Sequence, residues 1–251
     1  MKFSLKKVLS TILLSSVLIW AEFILPQTAF AAWGGTDGFE SYTVAADLGG
    51  TGGGSGWGGN WTVGAGSNMT ILTAVCNEAS QCAGDKAGDV NIYRLLSSAV
   101  TSGVISFDMK STSEGTTALE LVNAGVTDSS FRVQATGGDI NFRGATIVTL
   151  VSTQNNDWYT VEIDFRTGNN GCTTSQGSAR AKPTGGSFGS WTSCVGEAIA
   201  DDVSGFQSRF SFAVGRTLAI DDIKQGTVAA GGTTQFDMSP YNETLFFNNW
   251  L

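Results

Sequence analysis

The sequence predicts an all-β protein, an antiparallel β-sandwich in which about a dozen short strands form two packed sheets. Three observations support this fold class. Short segments alternate apolar and polar residues, as strands with one buried face do. Thr, Val and Phe recur in these segments, while Gly, Asn, Asp and Ser separate them. No segment after the N-terminal leader has a convincing helical period.

The predicted strands follow one another from Phe39 to Lys224. The clearest is Trp158–Arg166, in which apolar residues alternate with polar ones from Tyr159 onward. Because apolar faces recur from strand to strand, we expect two sheets packed over one core. In chain order the predicted strands are Phe39–Val44, Trp61–Val63, Met69–Val75, Val90–Leu95, Val104–Met109, Leu119–Leu121, Phe131–Ala135, Ile140–Phe142, Ala145–Val151, Trp158–Arg166, Phe206–Val214 and Leu218–Lys224.

Residues 1–31 have the features of a cleavable export signal. Lys2, Lys6 and Lys7 precede an apolar run from Val8 to Trp20, and the segment ends on Ala29-Phe30-Ala31, a small-x-small pattern that a signal peptidase cleaves. The alternative is a retained membrane anchor. Serines interrupt the run, which leaves fewer uninterrupted apolar residues than a bilayer span requires. We therefore predict a secreted or cell-surface protein with no membrane insertion after cleavage.

The chain is acidic, with 14 basic and 22 acidic residues and a formal charge of −8. Three of the basic residues and one of the acidic residues lie in the export signal, so cleavage would change the charge to −10. Nucleic acids and anionic lipid surfaces bind clustered Lys and Arg. We therefore expect no nucleic-acid partner. The acidic surface leaves carboxylates available for cations.

Four cysteines are present: Cys76, Cys82, Cys172 and Cys194. In an exported chain an even number of cysteines most simply forms disulfides, and four cysteines allow three pairings. The most economical pairing is local, with Cys76 bonded to Cys82 and Cys172 bonded to Cys194. A zinc site is the alternative, but the spacings are not C-x-x-C and the sequence has no histidine.

The absence of histidine also restricts catalysis. It excludes serine or cysteine nucleophiles that depend on His, and catalytic metals that are bound by His. Any enzyme on this chain would depend on carboxylates, Tyr, Lys or Arg.

One domain is predicted between the export signal and a C-terminal segment of different composition. We place the sandwich at residues 32–226. From residue 227 to residue 251, a Gly/Ala/Thr stretch leads into an end rich in aromatic residues and Asn. We expect this tail to add a strand to a sheet edge. The alternative is a docking tail that produces self-association by joining the sheet edge of a neighbouring subunit.

Four short segments are informative about the fold family. They are Asp37-Gly38-Phe39-Glu40-Ser41-Tyr42, Gly56-Trp57-Gly58-Gly59-Asn60-Trp61, Asp157-Trp158-Tyr159-Thr160-Val161-Glu162-Ile163 and Leu218-Ala219-Ile220-Asp221-Asp222-Ile223. They resemble bacterial secreted jelly rolls of the concanavalin A-like lectin/glucanase superfamily, which includes laminin-G-like domains. The resemblance spans the region from Trp33 to Gln225 and implies a jelly-roll sandwich. Because its motifs are short, it implies a fold more than an activity.

The resemblance also implies a structural calcium ion. In such jelly rolls the first and last strands are often neighbours, and an acid from each helps to hold the ion. The matching positions are Glu40 with Asp221 or Asp222. We favour Asp222, because strict alternation places it on the face of Leu218 and Ile220. Calcium takes about six to eight oxygen ligands, so backbone carbonyls and water would complete the shell. The alternative is that these acids bond to backbone amides at turns and strand ends.

The segment Glu162-Ile163-Asp164-Phe165 resembles the catalytic strand of glucanases in this superfamily. In those enzymes three acids alternate along one strand, so that one can attack while another protonates the leaving oxygen. The third position in this chain is Arg166, so the acid/base partner is missing. We expect Glu162 and Asp164 to form a solvated face with Arg166 and not a catalytic site.

Three tryptophans are candidate glycan-binding residues. Trp57, Trp61 and Trp191 lie in or beside Gly/Ser-rich loops, where an exposed ring can stack on a sugar. The alternative is that they fill the ends of the sandwich. We expect a secreted, non-catalytic module that binds glycan or cell-surface polysaccharide. The alternatives are a carbohydrate-active enzyme on the same fold, hydrolase or lyase, and a structural surface or assembly subunit.

Overall fold

The computed structural model describes residues 33–64, 66, 68–77, 80–85, 90–111, 116–126, 128–152, 157–210 and 218–226. In these residues all regular elements are β-strands. Within the same ranges no helix is long and apolar enough to cross a membrane. The predicted export signal and the tail at 227–251 lie outside the described residues.

Fifteen strands are present in the described residues. In chain order they are β1 (Trp33–Asp37), β2 (Thr62–Val63), β3 (Met69–Leu72), β4 (Cys82–Asp85), β5 (Val90–Val100), β6 (Gly103–Ser111), β7 (Thr116–Val122), β8 (Ser129–Thr136), β9 (Asp139–Arg143), β10 (Ile147–Val151), β11 (Tyr159–Phe165), β12 (Gln176–Pro183), β13 (Val195–Gly196), β14 (Val203–Phe210) and β15 (Leu218–Gly226).

The strands form two antiparallel sheets. The eight-stranded sheet has the order β13-β12-β11-β6-β15-β4-β3, with β1 also paired to β15. The seven-stranded sheet has the order β10-β9-β8-β7-β14-β5-β2. Buried residues from both sheets form one apolar cluster, so the sheets pack face to face. The predicted all-β sandwich is confirmed.

Alternation along the strands builds this core. Phe107 on β6 and Ile163 on β11 are at most 1% exposed and meet Phe131 and Phe206 of the other sheet in the same cluster. The apolar face predicted for the segment Trp158–Arg166 is therefore confirmed. Burying a side chain of this size contributes about 1.5–3 kcal/mol.

The predicted strand Phe39–Val44 is wrong, because the chain turns there. Asp37 ends β1, and its Oδ1 accepts a hydrogen bond from the Phe39 amide at 3.2 Å. Phe39 has a φ of +59°, in the left-handed region. The turn directs Phe39 and Tyr42 into the core, where they are 1% and 7% exposed. Their apolar character thus comes from core packing and not from a strand.

A bulge in β15 changes which of its acids is buried. The pairing of β15 with β6 shifts after Asp221, and Asp222 has a φ of +45°. As a result Leu218, Ile220 and Ile223 all lie in the core, which strict alternation does not allow. Asp221 is 1% exposed, whereas the Asp222 side chain is 43% exposed. The expectation that Asp222 shares the inward face is therefore wrong.

Candidate functional site

Trp57 and Trp61 lie around the buried carboxylate of Asp37. The Oδ2 atom of Asp37 accepts hydrogen bonds from Trp61 Nε1 at 2.9 Å, Tyr42 Oη at 2.7 Å and Arg94 Nη1 at 2.6 Å. Trp61 is 1% exposed. Trp57 packs against the core, with the Arg94 guanidinium 4.8 Å from its ring centroid. The expected exposure is therefore wrong for Trp61, whereas Trp57 is half-buried.

The ion pair in this cluster is almost completely buried. The side chains of Asp37 and Arg94 are 0% and 5% exposed. Burial and the charge of Asp37 raise the pKa of Tyr42, so its phenol stays protonated and donates. A buried pair with several additional hydrogen bonds holds one geometry. The cluster thus fixes the connection between β1 and β2 against β5.

Trp191 lies over the outer face of the eight-stranded sheet. Its ring centroid is 4.6 Å from the Arg180 guanidinium, which also lies 4.3 Å from the ring of Phe188. Arg180 in turn pairs with Glu162 at 2.6 Å. Trp191 is half-buried. One side of its ring contacts a cation of its own chain, Arg180.

The expected solvated face of Glu162, Asp164 and Arg166 is also wrong. Glu162 and Asp164 are 4% and 3% exposed, and burial raises the pKa of both carboxyl groups. Asp164 accepts a hydrogen bond from Asn170 Nδ2 at 2.8 Å. Arg166 has a φ of +56°, follows the end of β11 and pairs with Glu197. Both acids are thus bonded within the fold.

The acids predicted for calcium have separate partners. Glu40 is exposed and accepts hydrogen bonds from Ser80 Oγ and the Gln81 amide. Asp222 pairs with Lys224. Within the described ranges, no three acidic side chains lie close enough together to hold a metal ion. The carboxylates of Glu40 and Asp222 are thus both bonded within the chain, and the calcium site predicted from them stays a prediction.

Asp221 fits a cation better. Its Oδ2 atom is buried and has no hydrogen-bond partner. Burial raises its pKa to about 8, and the neighbouring charges of Asp108, Asp222 and Glu40 act in the same direction. Asp108 is its cross-strand partner on β6. An orphaned carboxylate oxygen beside a second acid is suited to calcium, with backbone oxygens and water completing the shell.

Both disulfides follow the local pairing. Cys76 is bonded to Cys82, and Cys172 is bonded to Cys194. The first bridge joins the connection that follows β3 to the first residue of β4. The second joins the β11–β12 connection to the β12–β13 connection. The predicted disulfides are confirmed, and both belong to the eight-stranded sheet.

A recess of about 450 Å³ opens beside the outer face of the same sheet. Its polar groups are bonded to one another, because Thr184 Oγ1 donates to Asn77 Oδ1 at 2.5 Å and Asn77 Nδ2 donates to Asp108 at 2.7 Å. The residues that line it are Asn77, Lys110, Asp157, Trp158, Pro183 and Thr184.

The outer face of the seven-stranded sheet carries a different arrangement, which we call the polar row. It crosses five neighbouring strands, and each of its residues has at least one sequence neighbour in the core. With strands about 4.8 Å apart, the row is about 19 Å long. In pairing register its residues are Arg143 on β9, Arg132 on β8, Glu120 on β7, Gln207 on β14 and Tyr93 on β5.

Glu120 is the acid of the polar row and is 1% exposed. Both of its oxygens lie 2.9 Å from Arg209 Nη2, and Oε1 lies 3.5 Å from Arg132 Nη1. The Arg132 and Arg209 side chains are 27% and 45% exposed. Arg143 makes no ion pair or side-chain hydrogen bond with the part of the chain that the structure describes. Arg132 and Arg209 thus share one carboxylate on this face, and Arg143 is a third arginine without an ion pair among the described residues.

Amide side chains lie beside the arginines. Gln134 and Asn141 are cross-strand partners, and Asn91 is opposite Arg209. Gln207 Nε2 donates to Asn91 Oδ1 at 2.7 Å, while Gln207 Oε1 is buried without a partner. None of these residues is among those predicted as site residues from the sequence. The sequence signal for this face is the alternation of polar and apolar residues, in which Arg132 and Gln134 alternate with Phe131 and Val133.

Solved structures with similar strand arrangements include a sialidase, a botulinum neurotoxin domain and a carbohydrate-binding module. The sialidase has a TM-score of 0.49 and 12% identity, over 66% of this chain and 17% of that chain. The botulinum neurotoxin serotype D binding domain has a TM-score of 0.44 and 13% identity, over 67% and 44% of the two chains. The module, from Bacillus subtilis, has a TM-score of 0.42 and 11% identity, over 66% and 95%.

The matched part of this chain therefore spans less than half of the sialidase and of the neurotoxin domain. No protein-family description matches the chain. No curated protein matches it in sequence. Structural similarity at this level does not indicate a shared function.

Proposed function

We propose that the chain is a secreted glycan-binding module that contacts its ligand through the polar row. The observation that carries this proposal is the alignment of polar side chains across five neighbouring strands, in which Arg143, Arg132 and Tyr93 are half-buried and Glu120 and Gln207 are buried between them. Because strands hold these side chains in place, little conformational freedom is lost on binding. A linear row of about 19 Å suits an extended chain of sugars.

The chemistry of the row supports a glycan. Sugar hydroxyls donate and accept hydrogen bonds, and the amides of the half-buried Gln134 and Asn91 do both. Tyr93, at one end of the row, is half-buried and presents part of an aromatic ring. Such a ring packs on the apolar face of a sugar. The row thus combines the two kinds of contact that a polysaccharide requires.

The eight-stranded sheet is a weaker candidate for the glycan contact. Glu162 and Asp164 are bonded within the fold, and Trp191 lies against Arg180. Trp61 is buried beside Asp37. We therefore propose the polar row as the glycan contact in place of the predicted tryptophans.

Affinity electrophoresis in gels that contain single polysaccharides tests the proposal. Wild-type protein should be retarded by at least one polymer. Gln134→Ala and Tyr93→Ala should each weaken binding about tenfold, since each removes roughly 1.4 kcal/mol of contact. Thr160→Ala, at a polar strand position on the other sheet, should bind as the wild type does. If all three variants are retarded as strongly as the wild type, the glycan site lies elsewhere. Release of sugars from the polymer would indicate an enzyme.

We also propose calcium as a structural ligand of Asp221. The orphaned Oδ2 atom and the adjacent charge of Asp108 support this proposal. Calcium should raise the Tm by an amount that grows with its concentration relative to the Kd. Asp221→Asn should abolish the increase and Asp222→Asn should retain it. An identical wild-type Tm in calcium and in chelator would contradict the proposal.

We further propose that the protein acts outside the cytoplasm. The two disulfides are compatible with an oxidising compartment. N-terminal sequencing of protein recovered from the culture medium should begin at Ala32. Intracellular protein that retains Met1 would contradict export.

A further inference from the structure

Two arginines of the polar row face each other across neighbouring strands. Arg132 and Arg143 are register partners on β8 and β9. Side chains at directly opposed positions have Cβ atoms about 5 Å apart, and like charges in this arrangement destabilise a sheet. Arg143 has no anionic partner among the described residues. Arg132 is paired with Glu120 at 3.5 Å, so Arg143 is the member of the pair that lacks a compensating charge.

Glu120 does not supply that charge to Arg143, because its ion pairs are with Arg209 and Arg132. It is buried, and both of its oxygens are bonded to Arg209 at 2.9 Å, while Arg132 lies at the longer distance of 3.5 Å. Asp139 is also on β9, but it lies four residues from Arg143, about 13 Å along the strand. The polar row is therefore locally positive on a chain whose formal charge is −8.

We infer that the glycan bound at the polar row is a polyanion, a polysaccharide that carries carboxylate or sulfate groups. This inference rests on the proposed glycan-binding function. A guanidinium group binds an oxyanion through two parallel hydrogen bonds. An anionic group placed between Arg132 and Arg143 converts their repulsion into two ion pairs.

The neighbouring side chains favour a polysaccharide over a small anion. Gln134 lies next to Arg132 on the same face of β8, two residues along the strand, and is half-buried. Its amide can bond the hydroxyl group of a sugar that flanks a charged unit. A free phosphate or sulfate ion would not use this contact.

Because the rest of the chain is acidic, affinity for a polyanion must come from close contacts with the arginines. A net negative protein repels a polyanion at long range. Binding must therefore depend on short-range contacts with the arginines, which salt weakens when the charges are exposed. Removal of one arginine should accordingly have a large effect on affinity.

Affinity electrophoresis of the folded mature chain with paired polymers tests the inference. Polygalacturonate is compared with its methyl ester, and dextran sulfate with dextran, so that each pair shares a backbone and differs in charge. We expect retardation by one or both of the charged polymers, none by their neutral counterparts, and weaker binding as sodium chloride is raised. Preference for polygalacturonate would identify carboxylate as the ligand group, and preference for dextran sulfate would identify sulfate.

Arg143→Gln should lower the affinity for the charged polymer about tenfold, because a charge-assisted contact is lost. Its Tm should stay equal to that of the wild type or rise, since a like-charge contact is also lost. Lys110→Gln, on the other sheet, changes the net charge equally and should bind as the wild type does.

Equal affinity for charged and neutral polymers, or wild-type binding by Arg143→Gln, would overturn the polyanion inference and leave glycan binding standing. An equal loss in Lys110→Gln would also overturn it, because net charge and not the arginine pair would then govern binding. Retardation by no polysaccharide in either experiment would overturn both the inference and the proposed function.

Discussion

Asp37→Asn should destabilise the fold strongly, because Arg94 would remain buried without its counter-charge. Asp37 Oδ2 accepts three hydrogen bonds, from Tyr42, Trp61 and Arg94. Asparagine presents one acceptor oxygen and one NH₂ donor to the same surroundings. At least one of the three donors would therefore lose its acceptor.

The magnitude follows from the burial of the pair, whose side chains are 0% and 5% exposed. Removing one partner of such an ion pair costs about 3–5 kcal/mol. In a domain of this size each kcal/mol lowers the Tm by about 2–4 °C, so the expected shift is on the order of 10 °C. Once Arg94 has lost its partner, adding Arg94→Gln should cost little more, and the two substitutions should be strongly non-additive.

Urea unfolding monitored by tryptophan fluorescence measures both effects. Asp222→Asn is the matched control, because it makes the same change in an ion pair whose Asp222 and Lys224 side chains are 43% and 21% exposed. The control should cost less than about 1 kcal/mol. If Asp37→Asn costs no more than the control, or if the two changes at Asp37 and Arg94 simply add, the buried-charge explanation is wrong.

Two further predictions concern the core and a buried acid. Ile163→Ala should cost about 2–5 kcal/mol in urea unfolding, because Ile163 is fully buried between the sheets and the smaller side chain leaves a cavity; a cost below about 1 kcal/mol would mean that the site collapses or is loosely packed. In the presence of a chelator, Asp221 has a folded-state pKa of about 8, above its ordinary value of 3.8. Its contribution to stability is therefore complete below about pH 3.8 and is lost progressively as the pH rises from there to about 8. Thermal unfolding across this range should show that loss in the wild type and not in Asp221→Asn, and parallel curves for the two proteins would contradict the prediction.

Local sequence patterns predicted the features that depend on few residues. The alternation in Trp158–Arg166 was sufficient to predict the buried face of β11, because burial of one strand face requires only a period of two. The disulfides follow from short separations, since Cys76 and Cys82 are six residues apart. Neither prediction depends on which strands are neighbours in a sheet.

Features that depend on distant partners could not be predicted in the same way. Trp61 is buried because Asp37 pairs with Arg94, 57 residues away in sequence. Asp222 faces outward because a bulge interrupts the alternation of β15. Neither the distant ion-pair partner of Asp37 nor the bulge in β15 can be predicted from local composition.

Predicting the polar row from the sequence would require still more information about strand pairing. Arg143, Arg132, Glu120 and Gln207 belong to four separate strands, and they align only when three pairing registers are known. The pairings of β7 with β8 and with β14 also contain register shifts. Sequence alternation shows that each residue faces outward, but the neighbours of each residue are set by the folded sheet.

Both disulfides belong to the eight-stranded sheet and its connections, whereas the polar row lies on the strands of the other sheet. The covalent frame and the proposed ligand surface can therefore change independently during evolution. A substitution at Arg132 or Arg143 alters the charge presented to a polymer without affecting a cysteine or its loop. We expect homologues that retain the four cysteines to differ at these arginines according to the charge of the polysaccharide that each one encounters.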